Sequence, residues 1–336
     1  MIRILILQPQ LDQSVAIAKY LKKYSDRYII VGALEPGTSI VEGSSLYDEL
    51  IVVPRDLSSI SQDYDLIVPT GAESSFGEIE RRGSMRIGTI RYGSENRIFF
   101  DKIESLKRVS DTGIPVPKTA LSIEDINDYP VFFKQDFERG SGARGILFER
   151  EDFYRITDER GLIFQEYIDS PYTYGVGYLA DEGRMIASFI HKELLSYPRP
   201  GGSGVVLTTV QDSRLTEYTR RILQNMNVSG WGLAEFKYCP KRNDYVFMEV
   251  NAKFWASLEF AFMNDPAFLR ELFGVDYLER KRSGIIFMDR LAYRGIRDYI
   301  VASIRYRDFY RINTRRSISV LMTRFLVSLK RRVKIW

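Results

Sequence analysis

The first apolar run of the chain, Ile2 to Leu7, is followed by Gln8-Pro9-Gln10 and then by a stretch whose apolar residues fall at Val15, Ala18 and Leu21. A short continuous run bounded by turn residues predicts a buried strand, and the three-residue spacing predicts a helix over 14–24. Tyr28 to Gly32, Leu50 to Val53 and Leu66 to Pro69 repeat the short-run pattern. Alternating strand and helix over residues 1–98 predicts a parallel, doubly wound sheet. The N-terminal run is read as a first strand and not as a signal peptide, since no small-residue cleavage site follows it.

Beyond residue 98 the pattern changes to hairpins. Asp101 stands where it can cap a helix running to about Ser110, and Thr112-Gly-Ile-Pro-Val-Pro117 ends it. Val131 to Phe148 reads as two strands around a glycine-rich turn, with a further strand at Leu162 to Tyr167. Tyr174 to Ala180 and Met185 to His191 flank Asp181-Glu-Gly183, and Trp231 to Tyr238 and Asp244 to Val250 flank Cys239-Pro-Lys-Arg-Asn243. Both pairs predict antiparallel hairpins, and Leu215 to Met226 predicts an amphipathic helix. The expected fold class is α/β, turning to α+β in its C-terminal part. Three units are expected: residues 1–98, 99–279 and 280–336.

Composition, 45% hydrophobic and 27% charged over 336 residues, is ordinary for a soluble chain. Charge distribution changes the picture. The formal total is +4, yet residues 280–336 hold 16 Lys/Arg against 3 Asp, leaving 32 basic against 41 acidic residues in the rest. From Ser317 onward Ile318, Leu321, Met322, Phe325, Leu329, Val333 and Trp336 fall near one helical stripe, with Arg324, Lys330, Arg331 and Lys334 elsewhere around it. Such a basic amphipathic helix either packs its stripe on the protein or makes peripheral contact with an anionic membrane surface. It lacks the signatures of nucleic-acid modules, so no nucleic-acid partner is expected. No run of 18 uncharged apolar residues occurs, so no spanning helix is expected. One cysteine, Cys239, and one histidine, His191, rule out an internal disulfide and a Cys/His zinc site. A cytoplasmic setting is expected, at the inner face of the membrane if the tail binds there. No G-x-G-x-x-G, P-loop or G-x-S-x-G motif is present.

The candidate chemistry lies in six short signals. In order they are Asp101-Lys102, Phe133-Lys134, the loop Arg139 to Gly145 with Gly140, Ser141 and Gly142, Gln165-Glu166-Tyr167-Ile168, Glu235, and Glu249-Val-Asn251. A lysine inside an apolar strand, as at Lys134, must reach the surface or meet an anion. Glycines let backbone N–H groups approach phosphate oxygens. Glu249 and Asn251 are two apart on a strand and present oxygens to one side, where Glu235 on the partner strand can join them. Oxygen-only ligands suit magnesium.

This ordered series resembles the ATP-grasp superfamily, specifically its carboxylate-amine ligase-like members, over roughly residues 1 to 275. The resemblance implies ATP held between a small lid, about 116–168, and a larger subdomain, behind the N-terminal α/β domain. It places Lys102 and Lys134 on the nucleotide phosphates with the glycine-rich loop over them. Glu166 would accept from the adenine amino group, Tyr167 and Ile168 would supply backbone hydrogen bonds, and Glu235, Glu249 and Asn251 would hold magnesium, or manganese in its place. Two departures stand out: Pro171-Tyr-Thr-Tyr174 where the family usually has a glutamate for the ribose, and Lys253 where it usually has an arginine. Lys253, with Lys192 or Arg199 from the stretch expected to face the acceptor, is the implied stabiliser of phosphoryl transfer. The implied activity is an ATP-dependent ligase that activates a small-molecule carboxylate as an acyl phosphate for attack by an amine, giving an amide. The alternative is an ATP-binding protein without turnover, regulatory or scaffolding in role. A homodimer is compatible with either.

Overall fold

The structure is a computed structural model; it describes residues 1–40, 43–53, 63–137, 142–198, 201–277 and 280–333, with side chains described through Thr323. Strands β1 (Ile2–Leu7), β2 (Tyr28–Leu34), β3 (Glu49–Val52) and β4 (Leu66–Val68) form a parallel sheet in the order β3-β2-β1-β4. The continuous apolar character of β1 has a direct cause: Ile4 and Ile6 pack with the first helix, α1 (Asp12–Tyr24), while Leu5 and Leu7 face the opposite side with Val31, Ala33 and Ile67. Helix α1 starts two residues before the expected Ser14. The Ser14 hydroxyl is instead drawn into the turn, 2.8 Å from the Gln8 carbonyl and 2.7 Å from Thr70 Oγ1, which ties the turn after β1 to the end of β4.

Helix α2 (Ala72–Arg82) and the hairpin β5 (Ser84–Ile87) and β6 (Ile90–Gly93) follow, and β6 packs against the large sheet described below. Next comes α3 (Lys102–Asp111), capped as expected: the Asp101 carboxylate accepts from the backbone N–H groups of Ile103 and Glu104, both at 3.0 Å. Gly113 follows the helix with φ +75°, a left-handed turn open to glycine. Strands β7 (Thr119–Ala120), β8 (Val131–Gln135), β9 (Arg144–Leu147) and β10 (Leu162–Glu166) then form a small antiparallel sheet in the order β7-β10-β8-β9, with its own core of Ile123, Val131, Leu147, Leu162 and Phe164.

The rest of the chain is built on one seven-stranded sheet. Its members are β11 (Thr173–Asp181), β12 (Arg184–Tyr197), β13 (Ser203–Thr209), β14 (Gly230–Cys239), β15 (Asp244–Asn251), β16 (Gly284–Phe287) and β17 (Tyr310–Ile312), in the order β15-β14-β11-β12-β13-β16-β17. Helices α4 (Ser213–Asn225), α5 (Leu258–Asn264), α6 (Ala267–Phe273), α7 (Met288–Arg294), α8 (Ile296–Arg305) and α9 (Thr314–Val333) surround it. Gly177 in β11 allows Trp255 to lie flat against the sheet, since a Cβ there would come within 2.3 Å of the indole.

The basic segment from residue 280 is more than a helical tail. Its strand β16 pairs antiparallel with β13 (Val206↔Ile286), and β17 pairs parallel with β16, so the segment extends the main sheet by two strands. In α9 the buried positions are Ser317 and Val320, while Ile318 and Met322 are exposed. Of the expected apolar stripe Ile318 and Met322 therefore face outwards and Leu321 is half-buried; Phe325, Leu329, Val333 and Trp336 lie outside the described side chains.

Candidate active site

The small sheet β7-β10-β8-β9, the turn after β1 and one face of the large sheet enclose a cleft of about 1210 Å³. Its floor follows from strand register: Glu235 on β14 stands directly opposite Glu249 on β15, and Asn251 lies two residues along on the same face. Lys134 reaches over from β8 to place its Nζ 2.8 Å from Glu249 Oε2 and 3.3 Å from the Met248 carbonyl. Asn251 Nδ2 donates to Glu235 Oε1 at 3.3 Å, and Lys253 Nζ donates to Asn251 Oδ1 at 3.0 Å. Lys102, at the first position of α3, is buried and lines the same cleft.

The two facing carboxyl groups are driven apart in acidity. Burial pushes Glu235 up, and the charges of Glu249 and Glu193 push it further. Burial acts in the same sense on Glu249, but Lys134, Lys102 and Lys253 outweigh it and hold this carboxyl well below its ordinary value. Glu249 is thus the fixed negative charge of the floor, and three lysines converge on it. Among the described residues no group of three or more His, Cys, Asp or Glu could hold a metal, so a cation here would rely on two carboxylates, one amide and oxygens brought by a ligand. That donor set is hard and all-oxygen, and fits magnesium.

Lys102, Lys134, Gly142, Glu166, Tyr167, Ile168, Glu235, Glu249, Asn251 and Lys253 all line this one cleft. The Glu166 carboxylate is already engaged, accepting from the Arg242 guanidinium and from the Lys118 N–H at 3.3 Å. Gly145 sits on β9 beneath Phe133, whose ring would be 2.8 Å from an added Cβ, so its lack of a side chain accommodates cross-strand packing. Lys192 is not itself in the cleft lining, but its ammonium lies 3.6 Å from the centroid of the Tyr172 ring, which is, a cation–π contact. Gly140, Ser141 and Arg199 lie outside the described residues. His191 is buried in the cleft wall, and burial lowers its pKa to about 4, which keeps it neutral.

Other residues enter the site without a local sequence signal. Glu193 on β12 is pushed up to about 7 by burial, against the pull of Arg290 and Lys237. Arg290 pairs with Asp12 at 2.5 Å and donates to the Gly204 carbonyl at 2.7 Å. Arg316 reaches Asp12 at 3.3 Å, Asp289 at 3.4 Å and the Gln10 carbonyl at 3.1 Å. These contacts join the start of the chain to its end across the cleft, 278 and 304 residues apart. Only the opposite charge of the two parts of the sequence hinted at them.

No family model matches the sequence, and no curated relative matches it either. Solved structures do. N5-carboxyaminoimidazole synthetase from Staphylococcus aureus aligns at TM-score 0.65 and 12% identity, covering 91% of this chain and 86% of that one, and a second structure of it is complexed with ADP. L-amino acid ligase from Bacillus licheniformis aligns at TM-score 0.59 and 12% identity, over 78% of this chain and 69% of that one. Rhizobium etli pyruvate carboxylase aligns at TM-score 0.60 and 13% identity, where 82% of this chain spans 29% of a much longer one. At these identities the likeness, which extends over most of the chain, shows a shared fold, the ATP-grasp fold.

Proposed function

We propose that the chain is an ATP-dependent ligase that joins a small-molecule carboxylate to an amine. A carboxylate oxygen of the acid takes the γ-phosphoryl group, the bond to ADP breaks, and an acyl phosphate results. The amine nitrogen then attacks the acyl carbon, phosphate leaves, and the nitrogen gives up its proton. Apart from positioning and charge stabilisation, little covalent chemistry is asked of the protein.

One observation carries the reading: Lys102 and Lys134, from two different elements, converge with Lys253 on the pair Glu235 and Glu249 in a single cleft. In the proposed roles Lys102 and Lys134 hold the nucleotide phosphates, and Glu235, Glu249 and Asn251 hold magnesium. Bound there, magnesium would neutralise phosphate charge as it develops. Lys253, which already donates to Asn251, would fix that amide and lend positive charge to the transferring group. Tyr167 and Ile168 would seat the base at the hinge. The structural relatives agree in kind, one being named a ligase of amino acids and another seen with ADP.

The test is phosphate release from ATP with candidate acids and amines, run with and without magnesium. Release that needs both an acid and an amine supports the ligase. Nucleotide binding with no release under any pair would favour a non-catalytic nucleotide-binding role, for which Lys253 in place of arginine is the supporting feature.

A further inference from the structure

Helix α8 turns its aliphatic residues outwards. Ile296, Ile300, Val301 and Ile304 are 62%, 51%, 55% and 68% exposed, while Ala302 is its one buried residue. At about 100° per residue, Ile296, Ile300, Ile304, Arg297, Val301 and Arg305 follow one another around half the helix. All six are exposed, and none is acidic. The helix's one acid, Asp298, falls outside this arc and pairs with Arg294. A second surface repeats the arrangement: on α9, Ile318 and Met322 are exposed one turn apart, with Ser317 and Val320 turned inwards. Arg307, Arg311 and Arg315 are exposed nearby in the sequence, and Tyr299 of α8 lies 3.5 Å from Ser317 of α9.

Single exposed aliphatics are common on protein surfaces, but four on one face of a 10-residue helix, interleaved with arginines alone, are not. We infer that this face docks on an anionic membrane surface. Ile296, Ile300, Val301 and Ile304 enter the boundary between headgroups and acyl chains, and Arg297 and Arg305 meet lipid phosphates. The charge pattern decides against a second copy as occupant. An isologous dimer through this face would set the same arginines against each other with no acid within the arc to compensate. Among the described residues no helix is long and apolar enough to cross a membrane, so the contact is peripheral.

The chain leading into α8 is tied to the cleft. Tyr293, at the end of α7, stacks on Tyr197 with ring centroids 5.9 Å apart and planes at 12°, and Arg294 Nη1 donates to the Ser196 carbonyl at 2.6 Å. Ser196 lines the cleft rim. Docking through α8 brings that rim towards the bilayer, and it does not depend on the ligase reading.

Sedimentation of the full chain with vesicles tests the inference, using phosphatidylcholine alone and phosphatidylcholine mixed with phosphatidylglycerol. Binding is expected to the mixed vesicles only, and to weaken as salt rises. The double variant Ile300→Glu/Ile304→Glu, at two positions that do not line the cleft, should keep its melting temperature and its nucleotide affinity while vesicle binding falls at least about tenfold, since two membrane-inserting side chains are replaced by charges. Arg297→Glu/Arg305→Glu should abolish the preference for phosphatidylglycerol. Wild-type protein that stays in the supernatant overturns the proposal, as does a folded double variant that binds vesicles undiminished. Light scattering that shows a dimer lost in the double variant, without vesicle binding by the wild type, gives the face to a second copy and overturns it equally.

Discussion

The floor of the cleft and the outward face of α8 depart from ordinary polarity in opposite directions. In the floor, Lys102 and Lys134 are withdrawn from water and Glu235 is half-buried; on α8, Ile296, Ile300 and Ile304 are given to it. The two also differ in how their residues are held. Lys134 donates to Glu249, Asn251 donates to both Glu249 and Glu235, and Lys253 donates to Asn251, so these groups form one chain of contacts. The aliphatics of α8 touch little of the protein. A buried polar network and an exposed apolar face are the two surface patterns that folding alone does not explain. The first should respond to substitution through chemistry and coupling, the second through encounter with a partner.

The largest effect is expected at the floor. Glu249→Gln keeps the shape of the side chain and removes the charge on which three lysines converge. Phosphate release should fall roughly a hundredfold or more, with the thermal melt little changed. An unfolded variant, or one with full activity, would show that Glu249 serves only packing or solvation. Next comes Lys134→Ala, which removes one charge-assisted contact to nucleotide phosphate, worth about 1.5 to 3 kcal/mol. ATP affinity measured by calorimetry should drop about tenfold to a hundredfold. Unchanged affinity would leave Lys134 as the structural partner of Glu249 and nothing more.

Much of this floor was legible in the sequence because strand geometry acts over two residues. Glu249 and Asn251 had to share a face, and the hairpin through Cys239 to Asn243 had to bring Glu235 beside them. The parallel order of β1, β2 and β4 followed in the same way from short apolar runs alternating with a helical period. What escaped was whatever depends on distant partners. Gly284 to Phe287 is a four-residue strand buried along its whole length, with no alternation to mark it. The Arg290, Arg316 and Asp12 network spans nearly the whole chain. The engagement of Glu166 by Arg242 was likewise invisible locally. For α9 the helical period was readable and for α8 it was not read; which side of each helix meets the protein depends on neighbours such as α7, and no local pattern encodes that.

A smaller and pH-dependent effect is expected at His191, the only histidine of the chain. Its pKa falls from 6.5 in the unfolded chain to about 4 in the folded one because burial disfavours the imidazolium. The unfolded state therefore takes up a proton first as pH drops. The stability tied to neutral His191 is complete above pH 6.5 and is lost as pH falls towards 4. From the size of the shift it amounts to about 3 kcal/mol at most. Denaturant melts of His191→Gln and the wild type should converge as pH falls through that window. Curves that stay parallel would assign the acid dependence to other groups. Glu193 is distinguishable from His191, because a raised carboxyl makes stability fall, not rise, between its ordinary range and about pH 7.

The smallest effect sharpens the comparison most. Ile304→Ser removes an aliphatic side chain from a position 68% exposed, so it should change the free energy of unfolding by no more than about 0.5 kcal/mol. Phe247→Ala on β15, fully buried against Phe236 with ring centroids 5.7 Å apart, should cost about 3 to 5 kcal/mol. Both substitutions delete apolar surface; only one deletes surface that folding has already taken from water. Urea melts of the two variants, read against one wild-type curve, measure the difference directly. A cost near 2 kcal/mol for Ile304→Ser would mean that α8 is covered by the protein itself in solution. The contrast with the cleft floor would then disappear, because α8 would be an ordinary core helix.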